Sequence, residues 1–224
     1  MRAAAARNNA EWCDLVCRSR GLGTRWEKTA WKSQSRSPRF YPDAVTLSAA
    51  ASAGEVLSGI DRSPGCSVKD SFAALDLASA GFRVLFEAQW IRCAIARPHT
   101  AANGPQWRIV RTDGELREWA AAHGGGDVFR PELLSQPDVA FLARHEGGRL
   151  VGGAIVNRSN DVVGLSNVFA TGVGLADVWA TVADAVWQQY PRLPIVGYEF
   201  GTDLDIALNV GFMIVGPLRV WLRD

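Results

Sequence analysis

The stretch "DVAFLARHEGGRLVGGAIVNRSNDVVGLSNVFA", Asp138 to Ala170, decides the fold. Three apolar segments rich in Val, Ile, Leu and Phe are separated by two short turns, His145-Glu-Gly-Gly and Arg158-Ser-Asn-Asp. Gly, Asn and Asp tolerate the positive φ angles that tight hairpins require, so the stretch reads as three consecutive antiparallel strands.

Working outward, "QWRIVRT" reads as a strand and "DGELREWAAAHGGG" as a helix closed by glycine. On the other side, "LADVWATVADAVWQQY" is a helix, "LPIVGYE" a strand, "TDLDIALNVGF" a short helix closed by Gly211, and "IVGPLRVWL" a strand. Thr202 and Asp205 stand at capping-box spacing. From Gln106 onward the expected order is therefore β-α-β-β-β-α-β-α-β.

The part before it reads less clearly. "NNAEWCDLVCRSRG" predicts a helix capped at Asn8 or Asn9 and stopped by Gly21, and "TRWEKTAWKS" a second short helix. "DAVTLS" predicts a strand after the Tyr41-Pro42 turn. "CSVKDSFAALDL" and "GFRVLFEAQWIRC" predict paired strands around residues 78–81. Within the former, Lys69-Asp70-Ser71 puts charge into an apolar strand, which favours a sheet edge over a pocket lining. "ARPHTAANGPQ", Ala96 to Gln106, reads as a linker between an N-terminal α/β portion, 1–100, and a second domain, 107–224.

Composition bounds the classes of function. The chain has 224 residues, 48% apolar and 21% charged, an ordinary globular balance. No apolar run nears the ~18 residues that span a bilayer, and "MRAAAARNNAEW" holds no cleavable apolar core, so a cytoplasmic protein is expected. Cys13 and Cys17 could supply two zinc ligands from one helix face, but no second pair of Cys or His completes a site. They read as small buried hydrophobes, with no metal. Residues 1–105 carry 14 Lys and Arg against 9 Asp and Glu, a net of +5, while 106–224 carry 10 against 14, a net of −4. Arg18, Arg20, Arg25, Lys28, Lys32, Arg36 and Arg39, with Glu27 the single acid among them, make a basic stretch that is either a solvated face or a phosphate-attracting patch.

The closing segment "ALNVGFMIVGPLRVWL", Ala207 to Leu222, resembles the last helix, Gly-Phe and last strand of the GNAT N-acetyltransferase superfamily. "FLARHEGGRLVGGAIV" resembles the family's second and third strands and "SNVFA" its fourth, so the likeness covers about residues 107–224. The chain as a whole also resembles actinobacterial proteins placed in that superfamily without assigned substrates. The resemblance implies an α+β fold with a mixed, mostly antiparallel sheet, flanked by helices and splayed between its fourth and fifth strands. The N-terminal portion would then be a diverged half-copy forming the acceptor side. It further implies acetyl-CoA or another acyl-CoA in the opening. Backbone at Asn167, Val168 and Phe169 would bond the pantetheine arm, and the Gly172-Val173-Gly174 turn the pyrophosphate.

Two departures stand out. Ala170 and Thr171 occupy the place of the family's loop cation, and Ala207 that of its usual tyrosine. Backbone amides at a helix start can still hold phosphate without a side-chain cation. Glu199, at the end of the fifth strand, is the candidate base, because burial at a strand end facing a cleft can raise a carboxylate toward neutrality; the other reading is a solvent-facing charge opposite the cleft. Tyr198 is the candidate acid in place of the missing tyrosine. Neighbours in a regular strand point to opposite faces, which sets these two apart. Asn167 would bond either a ligand carbonyl or a bulged backbone; Asp43 clusters with Lys69, Asp70 and Ser71 among strand-like residues, and Tyr41 and Trp90 either wall a cleft or fill the core, the core reading being favoured.

The function expected is acyl-CoA-dependent N-acyl transfer to a small amine or amino-acid-like metabolite. The alternative is the same scaffold repurposed for metabolite binding or a CoA-independent biosynthetic step. Nucleic-acid or protein-partner binding through the basic stretch ranks last, a membrane is not expected, and a homodimer stays open.

Overall fold

The structure, a computed structural model, describes residues 1–93 and 106–224. The expected linker, Gln106 excepted, lies outside the described residues. In chain order the elements are α1 (Arg2–Ser19), β1 (Thr24–Trp26), β2 (Ala30–Ser33), β3 (Ala44–Thr46), α2 (Ala53–Leu57), β4 (Ser67–Asp70) and β5 (Phe82–Cys93). After these come β6 (Gln106–Ile109), α3 (Asp113–His123), β7 (Val139–Glu146), β8 (Arg149–Arg158) and β9 (Val163–Ala170). The chain ends with α4 (Leu175–Gln189), β10 (Ile195–Glu199), α5 (Gly201–Asn209) and β11 (Met213–Arg223). Two compact units result, Met1–Trp90 with Val215–Asp224, and Ile91–Ile214. The sequence divide kept all of 107–224 together, whereas most of the last strand groups with the first unit.

In the first unit the strand order is β1-β2-β3-β4-β11-β5. Helix α1 begins six residues before the expected asparagine cap, because the alanine run Ala3–Ala6 has the highest helix propensity and needs no capping side chain. Asn9, inside the helix, instead accepts a bond from Lys69 Nζ at 2.8 Å. The expected second helix is the β1–β2 hairpin, with Thr24 opposite Ser33 and Trp26 opposite Trp31. Asp14 of α1 fastens this hairpin: its buried carboxylate accepts bonds from Thr24 Oγ1 at 2.6 Å and Trp31 Nε1 at 2.8 Å.

The expected β4–β5 pair does not form, since β11 lies between those strands and runs antiparallel to β4 from Arg219↔Asp70 to Leu222↔Ser67. No local periodicity announces a partner 150 residues away. Lys69-Asp70-Ser71 is consequently interior rather than an edge, with Asp70 accepting bonds from the amides of Phe72 and Leu75. The basic stretch is partly consumed inside the unit. Lys32 is buried on Glu27 and two backbone carbonyls, and Arg36 pairs with buried Asp43 at 2.6 Å. All four cysteines are free and buried.

In the second unit the order is β6-β7-β8-β9-β10. The three strands predicted from Asp138 to Ala170 form as expected, antiparallel from β6 through β9, with Gly147 and Gly148 both at positive φ in the first turn. β10 then joins β9 in parallel after the α4 crossover. Leu142, Val156, Val163, Trp179, Val182, Ile195 and Phe212 form the core under α4. The expected capping box at α5 does not form, because the helix starts at Gly201 and leaves Thr202 inside its first turn. A capping box does form at α3, from Thr112 and Glu115.

Each unit contains one parallel pair bridged by a helix, β3-α2-β4 and β9-α4-β10, and each bridge is followed later by a long strand of 12 or 11 residues.

Replacing Asp14 by Ala leaves the fully buried Trp31 indole N–H without an acceptor, and the expected loss is about 1–3 kcal/mol of stability. Asp14→Asn, which keeps an acceptor oxygen, loses less; urea midpoints of the two variants check the order.

Candidate active site

The second unit opens where β9 and β10 part. Only Ile195↔Val163 and Val196↔Gly164 pair in register. At the next step Gly197 comes so close to β9 that a Cβ there would lie 2.6 Å from the Leu165 carbonyl oxygen. Glycine permits that approach, and from Leu165 onward the β10-facing edge of β9 has no rung. On its other side β9 stays paired with β8 as far as Ala170, through a bulge: β8 advances from Gly153 to Ile155 while β9 spans Phe169 to Ser166. The extra residue lies in 166–169, where Asn167 has φ +54°. Asparagine is among the few non-glycine residues that enter this region readily.

The three strand residues expected at the ligand are thus half-buried and contiguous along this freed edge. Their side chains do separate things. Asn167 Nδ2 donates to Ser166 Oγ at 2.9 Å. Val168 packs on the α4 core, and Phe169 stands edge-on to Trp119 and His123 at 5.0 and 5.4 Å. What the edge offers is backbone.

The turn follows directly. Thr171 N bonds the Val151 carbonyl, Gly172 has φ +78°, and Gly174 is the N-cap of α4. Among the described residues, the amides of Gly172, Val173 and Gly174 donate to no backbone acceptor. Asp177 stands beside this turn, its Oδ2 3.0 Å from where a Gly174 Cβ would be. Arg144, buried on β7, donates through Nη1 to the Asp177 carbonyl oxygen at 2.7 Å and pairs with Glu146.

Because β9 and β10 are parallel, Ala170 and Glu199 end at the same rim of the sheet, the side on which open α/β sheets place their ligands. Tyr198 and Glu199 are both half-buried there. Burial, and secondarily the Asp203 carboxylate in the first turn of α5, push the Glu199 carboxyl up to about 8. Ala207 is fully buried in the core and offers no hydroxyl. Other candidates are structural. Asp43 holds Arg36 and the amides of Ser37 and Ser67, Tyr41 OH accepts from Trp12 Nε1, and Trp90 Nε1 donates to the Ser71 carbonyl.

Sequence reasoning missed Gly197, Asp203 and Arg144. Gly197 interrupts the apolar strand "LPIVGYE", and Asp203 follows Glu199 by four residues; both signals were present in the chain. Arg144 carried none, because its relation to the turn is across strands.

No protein-family model matches the chain, and no curated protein does. Among solved structures it is similar to a GCN5-related N-acetyltransferase from Kribbella flavida, at 13% identity over 98% of this chain and 95% of that one, with a TM-score of 0.66. It is also similar to a putative acetyltransferase of the GNAT family from Novosphingobium aromaticivorans, at 14% identity over 95% and 96% of the two chains, with a TM-score of 0.60. A functionally unknown conserved protein from Staphylococcus epidermidis covers 70% of this chain with 72% of its own, at 10% identity and a TM-score of 0.51. At such identities the likeness is one of fold: the chain has the mixed α+β GNAT fold, with its large, mostly antiparallel sheet flanked by helices.

Two outcomes follow from the geometry. Asn167→Val puts a β-branched side chain at positive φ and costs about 1–2 kcal/mol, whereas Asn167→Gly is tolerated; thermal midpoints distinguish them. For Glu199 the folded value, about 8, lies above the ordinary carboxylate value of 4.5, so the folded chain holds the extra proton between these limits. Stability therefore falls as pH rises from about 4.5 to about 8, and Glu199→Gln removes that slope in chemical denaturation series across this range.

Proposed function

We propose that the chain is an acyl-CoA-dependent N-acyltransferase acting on a small amine or amino-acid-like metabolite, working in the cytoplasm. The observation that carries the reading is the carboxyl of Glu199, raised to about 8, at the rim where the freed β9 edge and the Gly172–Gly174 turn also end. The residues present fit the cosubstrate. The β10-facing backbone edge of residues 165–170, which carries no rung to β10, suits the amide groups of a pantetheine arm. The turn amides suit a pyrophosphate.

Bound there, acyl-CoA supplies the thioester carbonyl that an amine attacks. The amine must be neutral to attack, and a carboxylate whose proton affinity lies near that of the amine removes its proton efficiently. Glu199 is that base. Tyr198 is the candidate acid for the departing thiolate, but as Glu199's neighbour on β10 it leaves the strand on the opposite face, so the reading rests on Glu199 alone. The repeated β-α-β order of the first unit supports its origin as a half-copy of the same fold, with an acceptor-side role.

One observation favours the alternative of a repurposed scaffold. Asp177 places a carboxylate beside the amides that a pyrophosphate would use. Titration calorimetry with acetyl-CoA separates the readings: binding is expected, and its absence at high micromolar ligand overturns acyl transfer in favour of a ligand without CoA. With an amine acceptor in hand, turnover rises with pH up to about 8 as Glu199 ionises. Glu199→Gln lowers kcat by about 10²–10⁴-fold while leaving acetyl-CoA affinity in place.

A further inference from the structure

We infer that the second unit holds a site for a small zwitterion, a free α-amino acid of the size of glycine, alanine or serine, in the cavity between α3 and the face of β6, β7 and β8. The cavity is built from those elements and not from the β9–β10 opening, so the site does not rest on the acyl-CoA reading.

Strand register makes the space. Arg108 on β6, Ala143 on β7 and Gly153 on β8 lie opposite one another in one row, and residues so paired share a face of the sheet. A Cβ on Gly153 would collide with Trp119 of α3, so this is the face that α3 covers. At Gly153 the Trp119 indole fills the gap under the helix. At Ala143 only a methyl group stands there, and a cavity of about 80 Å³ results. His145, two residues on along β7, and Leu150, its partner on β8, extend the sheet wall. Glu115, Glu118 and Trp119 recur at helical spacing and form the wall on α3. At roughly 10–15 Å³ for each water-sized group, the space takes about five to eight heavy atoms. Arg108 and Glu118 are solvent-exposed and form its mouth.

The polar groups around this cavity carry both signs and do not neutralise one another. Arg108 donates to the uncharged Gln106 Oε1 at 3.0 Å, and among the described residues it has no ion pair. Glu118 has neither a hydrogen bond nor an ion pair among the described residues. Glu115 Oε2 accepts from the amides of Arg111 and Thr112 at 2.8 and 3.0 Å, which fixes this acid at the start of α3. His145 Nδ1 is sealed from solvent with no partner, and a buried polar group without one marks a place where a small polar molecule belongs. Convergent polar groups on a partly apolar cavity are the usual make-up of a ligand site. The Arg108 guanidinium suits a carboxylate, and the Glu118 carboxylate, with Glu115 one turn before it, suits an ammonium. Ala143, Leu150 and Trp119 suit a short apolar side chain. An anion alone would leave two acids unmatched, and a cation alone would face Arg108. A molecule with both charges and so few atoms is a small amino acid.

Calorimetry on the full chain with glycine, L-alanine and L-serine tests the site. Saturable binding of L-alanine is expected, with acetate and ethylamine, which carry one charge each, weaker by about tenfold or more. Arg108→Met and Glu118→Gln change exposed side chains and keep the parental thermal midpoint; each raises the alanine dissociation constant about tenfold. Ala143→Leu fills the cavity and abolishes binding, whereas Glu199→Gln leaves it at the parental value. No saturation by any of the three amino acids at tens of millimolar overturns the inference. So does alanine binding that Arg108→Met and Glu118→Gln both leave unchanged, or that acetate matches. Loss of alanine binding in Glu199→Gln alone also overturns it, by moving the amino acid to the β9–β10 opening, where it supports the acyl-transfer reading instead.

Discussion

The acyl-transfer site proposed for the second unit depends on β9 and β10 failing to stay paired. A parallel pair gains a rung with each residue, so divergence after two rungs leaves polar backbone without partners. Gly197 is where this happens. Its missing side chain brings β10 against the Leu165 carbonyl, and beyond that point the two chains part. On the opposite side, the bulge at 166–169 keeps β9 attached to β8 while changing its rise and direction. One strand thus serves as a sheet member on one edge and is left open on the other.

The first unit handles the corresponding place differently. Its parallel pair also has two rungs, Ala44↔Val68 and Val45↔Lys69, but the amide of Ser71 then donates to Thr46 Oγ1 at 2.8 Å. Thr46, Asp70 and Ser71 are all buried, and Asp70 takes the next free amides. Here the backbone amides are satisfied internally, although the Ser71 hydroxyl is buried without a partner, so the strand ends form core where the second unit has an opening. Buried charges throughout this unit behave likewise: Asp14, Asp43 and Lys32 each gather several donors or acceptors, the condition under which burying a charge is tolerated.

Burial works in the opposite sense on Glu199, which has Asp203 nearby and a raised proton affinity. A carboxylate with a cationic partner would stay ionised and serve stability. One that is desolvated beside another acid is held ready to exchange a proton near neutrality. The contrast with Asp14 and Asp43, which gather hydrogen-bond donors, is what singles out Glu199 for the proposed role of base.

Local chemistry alone determined the hairpins of Asp138–Ala170, the helices closed by Gly124 and Gly211, and the strand–turn–helix at Gly172–Gly174, because periodicity and glycine act within a few residues. The proposed site residues, Asn167 to Phe169, Gly172 to Gly174 and Tyr198-Glu199, could be singled out for the same reason, since each group is contiguous in the chain. Tertiary structure decided the rest. The segment from Thr24 became a hairpin because Asp14 offered acceptors to Thr24 and Trp31. The strand at Lys69 became interior because β11 arrived from the end of the chain to cover it. Arg144 came under a turn some thirty residues later because strand register, set by the whole sheet, aligns residues that no local spacing relates.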